Sequence, residues 1–467
     1  MTLEDKTREF QNMDGFKGDV FEFGRRGYAM ARQVYNMRRD DVNPALILKA
    51  RDNNDVALTM KRAAELKHPV AVRSGGHNLD GTAMAGPVVI DLSGFRQTHV
   101  DTEKRRIRIG AGILLGDLDA LCQEHRMVVP TGTVGTTGVA GLTLGGGLGF
   151  KMRELGATVD NLVSCTVVTA QGDIVTASEE ENADLFWGLR GAGPNFGVVT
   201  ELEFQAHLFN PTTNVGRIFF PTSQMVDVMV RLDAYMQEAP REIGLVAAMA
   251  RPPRGEPGPP GRDPILMVIL VSTGDPADFA DYVDAVASFG SPMVKEVVQM
   301  PWTVANTMLE AGAPTGLRAH SRGGYVRDTG EAFFGKLAER ALAMPDPETM
   351  SSFVMPCSFI TGAIAEDFDE DAMAFSRENA RFLLEIVAVW SQREEDRESM
   401  AWADGTADAV RSMMLPNAYI NLTSDNNLDW LRGVYGKPEK FERLVALKTR
   451  WDPDNLLRFN RNIPPAA

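Results

Sequence analysis

Two segments of this chain gather glycine, small hydroxyl residues and one histidine in a way that suits a bound anion. The first is Arg73-Ser74-Gly75-Gly76-His77-Asn78, and the second runs from Pro130 to Gly149 and is dense in glycine. Backbone without side chains approaches a ligand closely, and successive N–H groups cradle a pyrophosphate without a basic side chain. One such loop says little. Two of them, about sixty residues apart and each preceded by a strand, need one explanation. Either they are tight turns in a β-rich domain, or together they wrap a dinucleotide, which explains more. A nicotinamide site fits poorly, because Gly145-Gly146-Gly147-Leu148-Gly149 lacks the following helix and the ribose-binding acid about twenty residues on.

The elements that must position these loops are legible from periodicity. Ala45-Leu46-Ile47-Leu48 is a short apolar run, and Asp52-Asn53-Asn54-Asp55 offers N-cap chemistry to a helical stretch through Val56, Met60, Ala63, Ala64 and Leu66. Pro69-Val70-Ala71-Val72 resumes as a strand, giving a βαβ unit that runs straight into the first loop. Val88 to Leu92 is the next buried strand, and Ile107 and Ile109 alternate with Arg106, Arg108 and Gly110. The second loop reads as ligand-shaped backbone rather than helix. Val163 to Thr169 and Ile174 to Thr176 flank the turn Gln171-Gly172-Asp173, and Val198 to Phe204 is a further strand.

Near residue 208 glycine thins out, and strands such as Ile265 to Ser272 alternate with helices such as Asp278 to Phe289. Arg251 to Gly261 sustains neither ladder nor helix and reads as an exposed loop. The end of the chain changes again, with Phe441 to Trp451 helical and Asp452-Pro453-Asp454 as a stop.

Composition narrows the function. The 467 residues carry 48 basic and 63 acidic side chains, a formal net charge of −15, which argues against a surface that tracks nucleic-acid phosphates. No apolar run is long enough to span a membrane, and the charged N-terminus lacks a secretory signal. Cys122, Cys165 and Cys357 are odd in number and far apart, so they fit neither a disulfide framework nor a metal site and read as buried thiols. A cytoplasmic enzyme without a metal, a monomer or a homodimer, is the expectation.

The first loop after Pro-Val-Ala-Val resembles the FAD-attachment loop of vanillyl-alcohol-oxidase (PCMH) type flavoproteins, and more narrowly that of the berberine-bridge-enzyme-like oxidases. The second loop is similar to theirs, as are Val159-Asp160-Asn161-Leu162, Asp184 to Gly193 and Gly193 to Val199. At the C-terminal end Tyr435-Gly436, Phe441 to Leu444 and the residues from Asp452 to Pro465 continue the likeness. The resemblance spans about residues 20 to 207 and 417 to 465 and is much weaker in the middle third.

It implies an α+β fold: an FAD-binding domain from residues 1–207 plus 415–467, and between them, at 208–414, a substrate domain of antiparallel sheet backed by helices. It implies FAD held by a covalent 8α bond to His77. Arg73, Ser74, Gly75, Gly76, Asn78 and Gly81 would cradle the diphosphate. Gly132, Thr133, Thr137, Gly138, Ala140, Gly141, Leu142 and Gly146 would line the rings and phosphates, Val199 the adenine side, and Asn460 and Asn462 would close over from the tail. Many members carry a second-loop cysteine that bonds the flavin again; here that position is Val134, so attachment is expected to be single. Leu142 also departs, where many relatives have histidine.

On the substrate side, Tyr419-Ile420-Asn421 resembles the family's Tyr-x-Asn strand. A tyrosine whose pKa is depressed by a positive charge or by hydrogen bonds to its phenolate could act as base, which makes Tyr419 and Asn421 catalytic candidates. Tyr325 and His320, in His320-Ser321-Arg322-Gly323-Gly324-Tyr325, are further candidates. Thr137 lies where the resemblance implies influence on oxygen access. Asp367, Asp369, Glu370 and Asp371 read as a solvated helix start.

The expected activity is oxidation of a small organic alcohol or amine, a secondary metabolite, by removal of a hydride, or an oxidative ring closure. Electrons would pass to O2 to give H2O2. An acidic chain without a basic cluster in the middle third suggests a neutral or cationic substrate. A carbohydrate oxidase, a flavin dehydrogenase and a catalytically silent flavin- or ligand-binding protein are the alternatives.

Overall fold

The computed structural model describes residues 3–11, 13–251, 262–312, 315–346, 353–425 and 427–466. The expected exposed loop beyond Arg251 lies outside the described residues, as does the side chain of Cys357.

The βαβ reading of the early chain holds. Asp52 caps the helix Asn53–Leu66 by accepting from the Asn54 and Asp55 N–H groups. Leu46–Lys49 and Val70–Arg73 both pair in parallel with Val88–Asp91 between them, and Asp19–Glu22 adds an antiparallel edge. A five-stranded antiparallel sheet follows, ordered Thr98–Asp101, Arg106–Gly110, Gly197–Gln205, Leu162–Thr169, Ile174–Ser178. One apolar core joins both sheets to the C-terminal helix Pro438–Trp451, through Val56, Ile90, Leu185, Phe204, Leu444 and Leu456.

A second core belongs to a seven-stranded antiparallel sheet. Its order is Val294–Pro301, Thr212–Phe220, Ile265–Ser272, Gly244–Ala250, Phe353–Phe359, Phe382–Trp390, Arg318–Val326. The period of two along a strand sorts its residues cleanly. Leu266, Val268 and Leu270 join Leu384 and Ile386 in a core with the helices Met225–Glu238, Pro276–Ala287, Glu331–Leu342 and Asp396–Val410. Met267, Ile269, Leu383 and Val387 face the opposite way and wall a cavity.

Three local expectations need correction. The second glycine loop is not free of helix: Val139–Leu144 forms a short one, because Val139, Ala140, Thr143 and Leu144 all find buried positions. Tyr419-Ile420-Asn421 is not a strand but leads into the 3₁₀ turn Ile420–Leu422. The acidic run does begin a 3₁₀ turn, Glu370–Ala372, with Asp369 as its cap. Its acids are ion-paired rather than merely solvated, however: Glu370 with Lys440 at 2.8 Å, Asp371 with Lys437 at 2.7 Å and Asp367 with Arg241 at 2.9 Å.

The tail is pinned from inside. Lys448 and Asp452, both wholly buried, pair at 2.7 Å. Asp452 also accepts from the Leu456 and Leu457 N–H groups, and Lys448 donates to the Asn195 and Leu457 carbonyls. A buried pair survives only when such bonds satisfy its remaining valences. Here they turn the chain sharply after the helix and send residues 457–463 back along the cavity.

Candidate active site

The two glycine loops meet backbone to backbone. A Cβ on Gly75 would lie 2.4 Å from the Gly138 nitrogen, and one on Gly138 would lie 2.6 Å from the Gly75 nitrogen. Only glycine fits at either place, which is the physical reason two distant segments share a composition. The Leu115 N–H donates to the Thr137 carbonyl at 2.9 Å and the Val139 N–H to that of Ile113 at 3.0 Å, locking the second loop. Ser74 Oγ donates to the Ala111 carbonyl at 2.5 Å, locking the first.

Between these loops and the seven-stranded sheet lies a cavity of about 1040 Å³. Ser74, Gly75, Gly76, His77 and Asn78 line it from the first loop. Gly132, Thr133, Val134, Thr137, Gly138, Ala140, Gly141 and Leu142 line it from the second, with Val199, Asn460, Tyr419 and Asn421 completing that side. Most residues singled out by the sequence thus converge on one space. Six do not line it. The Arg73 guanidinium turns away to the Ala31 carbonyl at 2.7 Å and to buried Asp91 at 3.3 Å. Gly81 packs against Arg39. Gly146, with φ of 126°, supports Phe375, whose ring would lie 2.7 Å from an added Cβ. Asn462 stands off the cavity, and Tyr325 is wholly buried beside Tyr419 in a small apolar cluster. Burial drives the Tyr325 hydroxyl well above its ordinary pKa. His320 is also off the cavity, held by Asp404 at 2.9 Å.

His77 is half-buried. Tyr35 stacks on its ring with centroids 3.8 Å apart and planes at 19°, and Thr136 Oγ1 meets its Nε2 at 3.3 Å. Burial pushes its pKa down to about 4, so the imidazole is neutral across the physiological range and keeps a nitrogen lone pair.

Tyr419 contradicts the expected depression of its pKa. Its Oη accepts from the Gly147 N–H at 3.2 Å and from Asn421 Nδ2 at 3.0 Å, two bonds that favour phenolate. Burial outweighs them, and with the charge of Glu385 adding to it the pKa is pushed up to about 12. Tyr419 is therefore a phenol that clasps the second loop, and Asn421 reinforces the clasp by donating to the Leu142 carbonyl at 2.9 Å.

Among the lining residues that the sequence did not single out are Tyr35, Arg217 and Glu385. Tyr35 sits in an unpatterned loop and left no signal. Arg217, paired with Glu296 at 2.9 Å, and Glu385 lie on the sheet wall. A lone acid within Phe382-Leu383-Leu384-Glu385-Ile386-Val387 was the one clue available, since a charge in a buried strand demands a reason.

The cavity fits a dinucleotide on its own evidence: it is roomy at about 1040 Å³, side-chain-poor backbone forms one wall, and Asn460 Oδ1 lies buried beside it without a hydrogen-bond partner among the described residues. Comparison with known proteins agrees. Residues 44–178 match the FAD binding domain family, and residues 418–464 match the family described as berberine and berberine like. An FAD-linked oxidoreductase of Dictyostelium discoideum is 28% identical over 461 residues, covering 97% of this chain and 96% of that protein. The crystal structure of 6-hydroxy-D-nicotine oxidase from Arthrobacter nicotinovorans superposes with a TM-score of 0.86 at 25% identity, over 97% of this chain and 99% of that one. Glucooligosaccharide oxidase from Acremonium strictum, described with a 6-S-cysteinyl, 8α-N1-histidyl FAD, has a TM-score of 0.85 at 19% identity over both whole chains.

The fold and the site define an FAD-linked oxidoreductase. Within that class its closing segment, residues 418–464, is similar to the berberine and berberine like family, and its mixed helix and sheet architecture is that of the 6-hydroxy-D-nicotine oxidase structure. Among the described residues no helix is long and apolar enough to cross a membrane.

Proposed function

We propose that this chain is an oxidase of a small, largely apolar alcohol or amine, with its FAD carried on His77 through a single covalent 8α link. The FAD-binding body would comprise residues 1–207 and 415–467, and the substrate side residues 208–414. When bound, FAD supplies two-electron acceptor chemistry, with O2 as the final acceptor and H2O2 as product.

The observation that carries the substrate class is the sheet wall. Val246, Ala248, Met267, Ile269, Leu383 and Val387 face the cavity from its strands, interrupted there by Arg217, Glu296 and Glu385, with Arg251 and Arg262 at the strand ends. A sugar needs hydrogen-bonding partners along its length, because polar groups moved from water into an unpaired site are costly. An aliphatic wall rewards an apolar ring. Glu385, close enough to raise the pKa of both Tyr35 and Tyr419, is the group suited to take the proton from the substrate O–H or N–H. Tyr419 holds its proton and donates, Asn421 orients it, and Thr137 faces the cavity from within the second loop, where oxygen access would be set. Tyr325, sealed in the core, serves packing.

The single link rests on Val134, which lines the cavity at the loop position where relatives place a thiol. Cys122 and Cys165 are buried free thiols in the core and do not line the cavity.

Two measurements test this reading. Acid precipitation of purified protein should give a yellow pellet and a polypeptide mass increased by one FAD, both lost in His77→Ala; a colourless pellet from the unaltered chain overturns the attachment. Peroxide release should respond to apolar amines and alcohols and not to oligosaccharides. Sugar-dependent turnover would favour the carbohydrate oxidase, and reduction without re-oxidation by air the dehydrogenase. A flavin that no candidate bleaches anaerobically would favour the silent binding protein.

A further inference from the structure

We propose that Tyr35 is the positioning residue for covalent flavin attachment: it clamps the His77 ring in the attacking orientation and transmits that orientation from the seven-stranded sheet. The inference rests on attachment at His77, as read above.

His77 follows Gly76, whose φ of 69° lies in the left-handed region that glycine adopts freely, and the bond from Ser74 that locks this loop fixes its backbone and not the imidazole. Something else must hold the ring. Tyr35 does so twice. Its ring stacks on the imidazole at 3.8 Å, and its own N–H donates to the Gly76 carbonyl at 3.0 Å, so loop and clamp move together. Tyr35 is buried, and its neighbour Asn36 is bolted to the strand Arg318–Val326: Asn36 Oδ1 accepts from the Ala319 N–H at 2.9 Å and its Nδ2 donates to the Ala319 carbonyl at 2.9 Å. The same Nδ2 donates to the Leu79 carbonyl at 2.8 Å, returning to the far end of the first loop. Thr136 fixes the ring edge through Nε2. Face and edge together leave the imidazole no free rotation, and burial keeps it neutral.

Attachment replaces one C–H of the ring methyl group of FAD and the imidazole N–H by a C–N bond. The two electrons released remain on the FAD and pass, with two protons, to O2 to give H2O2. Nothing in this balance consumes Tyr35. Its contribution is geometric, and misorientation of a reacting group costs rate steeply.

The test uses the full chain, produced without flavin and then mixed with FAD in air. Covalent attachment is followed by intact mass and by flavin fluorescence of the denatured polypeptide. Tyr35→Phe keeps the stack and should attach at the rate of the unaltered protein. Tyr35→Leu and Tyr35→Met, which fill the volume without a ring, should still bind FAD but attach it about ten- to a hundredfold more slowly. Equal rates in all four proteins, or a loss in Tyr35→Phe as large as in Tyr35→Leu, would overturn the clamp while leaving attachment at His77 intact. Two non-aromatic variants keep the comparison open if one fails to fold. If the unaltered chain itself never acquires the mass of FAD, it is the attachment reading that has failed.

Discussion

The two walls of the cavity are built on opposite plans. The wall of glycine loops offers backbone: Gly75 and Gly138 lie so close that neither has room for a Cβ, and the side chains that matter, His77 and Tyr419, are fixed by ring stacking or by N–H donors. The sheet wall offers side chains: aliphatic residues at every second position, with three charges set among them. The first plan tolerates no added atom, because it binds by close approach. The second tolerates exchange of one aliphatic for another, because it binds by shape and burial. This is why the loop wall carries a motif legible in the sequence and the sheet wall does not.

The contrast breaks most sharply at the glycines. Gly138→Val would drive carbon into the Gly75 backbone, and the loops could not both stay in place; the expected product is colourless protein, checked by the flavin absorbance that co-purifies. A yellow Gly138→Val protein would mean the loops are not held in contact. On the other wall, Glu385→Gln should leave the flavin content unchanged and lower kcat/KM by about 10²–10⁴-fold, the range for a lost general base. Full activity in that variant would return Glu385 to a merely structural role.

Tyr419→Phe sits between the two. It leaves the Gly147 N–H and Asn421 Nδ2 without their acceptor, so stability should fall by about 1–3 kcal/mol, read by denaturant melts, with kcat reduced less than tenfold. A thousandfold loss of kcat at unchanged stability would instead make the phenol oxygen the proton acceptor.

The smallest effect lies at the seam between the walls. Buried Asp119 accepts from Asn306 Nδ2 at 2.8 Å and from Trp302 Nε1 at 3.3 Å, while Asn306 also donates to the Gly132 carbonyl at 3.0 Å. Burial raises the Asp119 pKa to about 7, despite those donors. Between its ordinary value of 3.8 and 7 the folded chain therefore binds more protons than the unfolded one. The stability this carboxyl contributes is whole below about pH 4 and is lost as the pH rises through 7. Asp119→Asn, which cannot titrate, should remove that part of the pH dependence: Tm of the unaltered protein should drop by a few degrees more than that of the variant between pH 4 and 8. Parallel curves would show that Asp119 does not titrate in this interval.

Legibility followed the same division. The βαβ unit, the capped helix Asn53–Leu66 and the strand Ile265–Ser272 fell where periodicity put them, since their burial patterns repeat locally. The helix Val139–Leu144 was missed because its glycine-rich surroundings read as loop, while tertiary burial of four of its residues outweighed weak propensity. Tyr419 reads in the sequence as a base candidate if a positive charge or hydrogen bonds to its phenolate depress its pKa. Its burial, invisible in sequence, reverses the sign.

What the order of residues determined by itself was the composition of the loop wall: glycines where backbones must touch, and a histidine and a valine set among them. Each is a local steric or chemical requirement written at one position. What only the tertiary structure decided was which groups share the cavity. Arg73 was turned away by Asp91, Tyr35 was brought onto His77 from a patternless loop, and Glu385 was carried in from a strand more than three hundred residues further along. Those outcomes depend on how two cores dock, and docking is a sum over many weak contacts that no short stretch of sequence contains.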